Sequence, residues 1–172
     1  MDEVVGRIGR VFVIRLEPHE DLFLRIQKAV KDHGMKAGLV LSITGALDKA
    51  VLQKFVTGQK SIDVEEIDGP MEVSGHGIVG WTVAPGRGKE PFGTGRYVDG
   101  EPYVHVHLTI TSPDVTLCGH LMEGCVVRAK HPISHFTIMM AEVEGAALEM
   151  RVDETNEKTA RGWGVYHDLR AI

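Results

Sequence analysis

Two cysteines in 172 residues are too few for a disulfide framework, and the spacing of Cys118 and Cys125 fits no CxxC redox or zinc motif. Both read as free thiols. No apolar run approaches the roughly 20 residues that a membrane-spanning helix needs. The start, Met1-Asp2-Glu3-Val4-Val5-Gly6, is acidic and lacks the basic residues and apolar stretch of a signal peptide, so a soluble, cytoplasmic protein is expected. Positive charge is also scarce: 19 Lys+Arg face 24 Asp+Glu, a net charge of -5. Nucleic-acid affinity comes largely from Lys and Arg neutralising phosphates, so this balance weighs against autonomous DNA binding.

What the chain does have is 43% hydrophobic residues and nine histidines. Its length fits one domain, residues 1–172, and a domain of about 150 residues buries roughly 70% of its unfolded surface, so neither disulfide nor structural metal is needed for folding. No repeat or low-complexity segment is present.

Gly9 to Glu17 is β-branched and aromatic and stops at Pro18, which lacks a backbone donor; this predicts a strand. Leu22, Phe23, Ile26, Ala29 and Val30 then recur with a helical period, with Glu20 and Asp21 in the first turn and Gly34 as the stop, predicting one amphipathic helix over about 20–33. Further strands are expected at 37–44, 50–56, 62–67, a bent or bulged 73–83, 103–111, 116–122, 135–143 and 147–152. Between Pro85 and Pro102 five glycines mix with Arg87, Lys89 and Arg96, a loop long enough to be mobile or functional. The expected fold is α+β: one main helix and a largely antiparallel, barrel-like sheet of about eight strands.

The most informative stretch is Tyr103 to Ile110. Side chains alternate along a strand, so Val104, Val106, Leu108 and Ile110 form a wholly apolar face and Tyr103, His105, His107 and Thr109 share the other. The next strand sets Thr116, Cys118, His120 and Met122 on one face. A turn at Ser112-Pro113-Asp114 brings His120 back beside the His-x-His pair, and three neutral imidazoles with an open fourth position form the usual catalytic zinc arrangement. The plainer reading is three histidines that bond one another at a surface or interface without metal. Imidazole ligation also suits nickel, cobalt, iron or copper.

Other residues rank lower. Cys118 is either a soft ligand, a pocket wall or a small buried residue, and Tyr103 is a candidate pocket residue. His76, flanked by Gly75 and Gly77, either approaches the site or occupies a bulge. A general-base role for Glu123 requires a bulge. His131, His135 and His167 read as solvated, and Arg87 and Arg96 as either solvated or holders of an anionic substrate.

Arg15-Leu16-Glu17-Pro18-His19-Glu20-Asp21-Leu22, His33-Gly34-Met35-Lys36-Ala37-Gly38, Ser42-Ile43-Thr44-Gly45-Ala46-Leu47, Tyr103 to Leu108 and Gly119-His120-Leu121 occur in this order. Together they resemble the PPC (plants-and-prokaryotes-conserved) domain, called PD1-like DNA-binding in bacteria, over about residues 9–150. Residues 151–172 lie outside the resemblance. It implies a single α+β domain that forms a homotrimer and mediates binding or regulation, with a DNA-binding label. In plants the domain is joined to Arg-Gly-Arg-Pro AT-hooks; the nearest string here, Pro85-Gly86-Arg87-Gly88-Lys89, lacks that core. The fold is also similar to acetolactate decarboxylase and a related metal-dependent ester hydrolase, whose zinc sits on a His-x-His pair and a later histidine, here His105, His107 and His120. The expected function is a homotrimeric regulatory protein with a zinc site. The alternative is a small zinc-dependent lyase or hydrolase acting on a small carboxylic acid or ester.

Overall fold

The alternation along Tyr103–Ile110 decides where the core lies. In the computed structural model, which describes residues 3–56, 62–93, 95–129, 135–152 and 164–172, Val104, Val106, Leu108 and Ile110 are all at most 2% exposed. They belong to β4 (Pro102–Thr111), in chain order after β1 (Arg7–Arg15), α1 (Leu22–His33), β2 (Gly38–Phe55) and β3 (Ile62–Val83). There follow β5 (Thr116–Leu121), β6 (Val126–Val127), β7 (Thr137–Glu144), β8 (Ala146–Val152) and β9 (Val165–Ala171).

The nine strands form one mixed sheet in the order β1-β7-β2-β5-β4-β3-β8-β9, with β6 on β2 and β2 also pairing β3. The described pairings are antiparallel except β3–β8. The α+β class with one helix is therefore as expected, and β6 and β9 lie outside the predicted segments. The predicted segments 37–44 and 50–56 are one long strand, β2, and 62–67 and 73–83 are one long strand, β3. These two run antiparallel from Gly38↔Val79 to Phe55↔Ile62, with register shifts between Val40 and Ile43 and, at the junction of the predicted segments, between Leu47 and Lys49. The bulge passes the ladder through the polar stretch that looked like a break in the sequence.

The helix buries Leu22, Ile26, Ala29 and Val30 and packs on β4. Phe23 is only partly buried at the edge of the core. Glu20 and Asp21 are not in its first turn, as the sequence reading had them. Asp21 is the N-cap, with extended backbone, and accepts from Leu24 N–H at 3.0 Å. A cap must sit outside the helical φ/ψ region to aim its side chain at the free N–H groups. Gly34 closes the helix at φ 63°, a left-handed conformation that costs glycine nothing.

Asp21 does more than cap, because its second oxygen accepts from Gly124 N–H at 2.6 Å and so fastens the helix start to the turn after β5. Asp21→Ala leaves two backbone donors without this partner and should destabilise the protein by about 1–3 kcal/mol. Urea unfolding against the exposed control Asp32→Ala measures the difference.

Candidate metal centre

The turn expected at Ser112-Pro113-Asp114 is present, with Ser112 N–H bonded to Val115 C=O at 2.8 Å. It makes β4 and β5 a hairpin in which His107 stands directly opposite His120, Leu108 opposite Gly119 and Thr109 opposite Cys118. His105 lies two residues along the same face. The three imidazoles converge: His105 and His107 stack with centroids 5.3 Å apart at 17°, and the His120 ring meets them edge-on at 5.0 and 5.7 Å. One ring nitrogen from each lies within 4.8 Å of the other two. His120 is 8% exposed, His105 partly buried and His107 open to solvent.

Burial works against charge on these rings. It lowers the His120 pKa to about 4, with help from His105 and His107. Burial, followed by His107 and His167, also lowers that of His105. The neutral form is the one that binds metal. Three neutral imidazoles at this spacing would suit a divalent transition metal, which they would hold through one ring nitrogen each. Gln53 of β2 stands opposite His120 in the ladder. Its Oε1 is the one buried side-chain N or O without a hydrogen-bond partner among the described residues. Three converging imidazoles, with an unsatisfied acceptor on the residue paired to His120, suit a divalent transition metal carrying a protic ligand.

The other predicted residues separate. His76 lies within β3, in regular register opposite His107 of β4 but facing a bulge of β2, where the register shifts between Val40 and Ile43; a Cβ on the adjacent Gly77 would stand 2.2 Å from the His105 carbonyl, so glycine is what lets β3 and β4 approach. His76 is exposed and outside the ligand group. Cys118 is exposed on the same hairpin and is not in that group either. Cys125 is a buried thiol whose Sγ bonds both the N–H and C=O of Val51. Burial pushes its pKa up to about 12.

Arg87 lines a cavity of about 430 Å³ with Arg151 and Tyr166. Arg96 and Glu123 border two others, of about 130 and 390 Å³, beside Phe23. None of these three cavities counts His105, His107 or His120 among its lining residues. His131 lies outside the described residues, and His135 is exposed as expected.

His167, read as solvated, is exposed on β9 as expected, yet its Nε2 lies 2.9 Å from the Tyr103 hydroxyl. The same hydroxyl lies 2.6 Å from His105 Nδ1. Tyr103 itself is 3% exposed, packed with Ala37, Leu148 and Met150. The period-2 pattern of Val165 to Ala171 was the available signal for β9, but nothing local says where that strand docks.

The Plants and Prokaryotes Conserved (PCC) domain family matches residues 3–142. The chain belongs to that family. Its fold is shared with a plant- and prokaryote-conserved protein of Pyrococcus horikoshii (TM-score 0.69, 22% identity, 99% of each chain). It is also shared with a metal-containing protein of Archaeoglobus fulgidus (TM-score 0.69, 23% identity, 90% of this chain and 94% of that one). A proposed DNA-binding protein of Ralstonia eutropha follows at TM-score 0.62 and 16% identity, over 93% of this chain and 90% of that one. At these identities the likeness establishes the fold. Acetolactate decarboxylase of Bacillus subtilis is also matched, more loosely, at TM-score 0.43. Among curated proteins none matches. The PCC match ends before β8 and β9, so His167 lies outside it.

A histidine whose folded pKa is depressed makes the unfolded chain the stronger proton binder. Stability of the metal-free PCC protein is therefore complete above about pH 6.5 and falls as the pH drops toward 4, His120 contributing up to ~3 kcal/mol. Urea unfolding in chelator at pH 7 and 4.5 should show this loss, and His120→Gln should reduce it.

Proposed function

We propose that this PCC-family protein is a homotrimeric binding or regulatory protein that holds a divalent transition metal, zinc, on His105, His107 and His120. The observation that carries the reading is the convergence of three imidazoles, with ligand atoms within 4.8 Å, on one hairpin face. Zinc bound there supplies Lewis-acid chemistry to whatever ligand takes its fourth position. The chain's own residues do the rest. His120 presents its nitrogen from the buried side, His107 leaves the site open to solvent, and Gln53 Oε1 offers an acceptor to a donor on the bound ligand.

The trimer is supported by an uncovered apolar strip at the sheet edge. Val11 and Val13 of β1 are 54% and 68% exposed, and Met139, opposite Val13 on β7, is 40% exposed. Exposed patches of this kind mark subunit contacts. The single 1–172 domain is read as the barrel-like unit of that trimer, because the pairings run in a closed circuit β2-β5-β4-β3. No helix among the described residues is long and apolar enough to cross a membrane, and a cytoplasmic location is part of this proposal.

A second reading, a small zinc-dependent lyase or hydrolase acting on a small carboxylic acid or ester, draws on the three-ligand count and the unsatisfied Gln53 acceptor. DNA binding takes its support from the Ralstonia neighbour and runs against the net charge of -5.

Titration of chelator-treated protein with zinc should give one ion per subunit. His105→Ala, His107→Ala and His120→Ala should each weaken binding by at least about 100-fold; parent-like affinity in all three would overturn the metal site. Light scattering should give three times 18.9 kDa. A gel-shift titration to micromolar protein should show no salt-sensitive retardation of duplex DNA.

A further inference from the structure

The Tyr103 hydroxyl is in contact with two histidines, one from the proposed ligand set and one from the last strand of the chain. It has one proton to donate and lone pairs to accept. His105 Nδ1 at 2.6 Å takes one side of it and His167 Nε2 at 2.9 Å the other. Because Nδ1 of His105 is engaged by Tyr103, Nε2 is the nitrogen left to face His107 and His120. A metal on Nε2 requires the proton of a neutral His105 to sit on Nδ1, so Nδ1–H donates to Tyr103 Oη. The Tyr103 O–H is then free to donate to Nε2 of His167, whose own proton is on Nδ1. Both hydrogen bonds of the chain His105–Tyr103–His167 thereby run in one direction.

The fold holds these groups in place from both ends. Tyr103 is locked by its packing against Leu148 and Met150. Gly80, directly opposite it on β3, presents no side chain. β9 is laddered on β8 from Ala146↔Ala171 to Val152↔Val165, which places His167 opposite Met150. Ion pairs lie along the same two strands: Arg151 Nε to Asp168 at 3.0 Å and Arg151 to Glu149 at 2.7 Å, with Arg170 against Glu149.

We propose that Tyr103 and His167 are positioning residues for the metal centre. Through a one-way hydrogen-bond relay, β9, which lies outside the PCC match, fixes the tautomer and ring orientation of His105 so that Nε2 faces the ion. The proposal rests on the metal reading above. Outer-shell partners of this kind typically govern metal affinity by 10–100-fold.

The test is zinc affinity of the full-length protein, by competition with a chromophoric chelator, together with ¹⁵N long-range spectra of the histidine rings. Tyr103→Phe keeps the ring packing and should raise the zinc Kd by about 10–100-fold. His167→Ala should raise it less, since Tyr103 still accepts from His105. His167→Gln, which returns an acceptor near the Nε2 position, should restore it toward the parent value. Spectra of the zinc-loaded parent should show His105 protonated on Nδ1 and metallated on Nε2. Should Tyr103→Phe fail to fold, the two His167 variants and the spectra decide. A folded Tyr103→Phe with parent affinity, or His105 metallated on Nδ1, overturns the relay while leaving the site intact. Zinc affinity unchanged in the His105, His107 and His120 variants overturns the site and the relay together.

Discussion

The opposition of His107 and His120 across the β4–β5 hairpin is the constraint on which the candidate site depends. It is held less by the histidines than by what lies behind them. Val106 and Leu108 are fully buried on the other face of β4, each contributing about 1.5–3 kcal/mol, and a slip of one residue would exchange the two faces entirely. The apolar face therefore sets the polar one. Because β3 and β2 pair on either side of the hairpin, the same register also lines up His76 with His107 and Gln53 with His120.

Burial and chemistry meet at two residues. His120 is nearly enclosed, and the cost of that burial appears as a pKa lowered to about 4, which keeps its nitrogen free of protons at neutral pH. Tyr103 belongs to the smaller apolar cluster with Leu148 and Met150, yet its hydroxyl touches His105 and His167. Burial also raises the Tyr103 pKa, so the hydroxyl keeps the proton it has to donate. A buried tyrosine needs a partner for its O–H, and here the partners belong to the site.

The charge balance acquires a structural counterpart. Arg7, Arg10, Arg15, Arg151 and Arg170 all have carboxylate partners, as do Lys28, Lys31, Lys49 and Lys54. Many of the cations are thus engaged within the subunit. A DNA-binding face would need them clustered and available.

Local pattern determined the helix and its buried stripe, the apolar face of β4, the hairpin turn and the shared face of His105, His107 and His120. Each of these follows from side-chain direction over a few residues, and from the family motifs that lie along the same strands. The helix cap was misplaced by a residue or two because a cap and a first turn use the same acidic residues. β2 and β3 were split because a bulge and a break carry the same local polarity. What only the tertiary structure decided is long-range: the position of Gln53 opposite His120, that of His76 opposite His107, and the docking of β9. His167 is 62 residues from His105 in the chain, and its hydrogen bond to Tyr103 exists because β8 and β9 extend the sheet past β3. Strand order is set by which edges pair across the whole domain, and no local pattern encodes it.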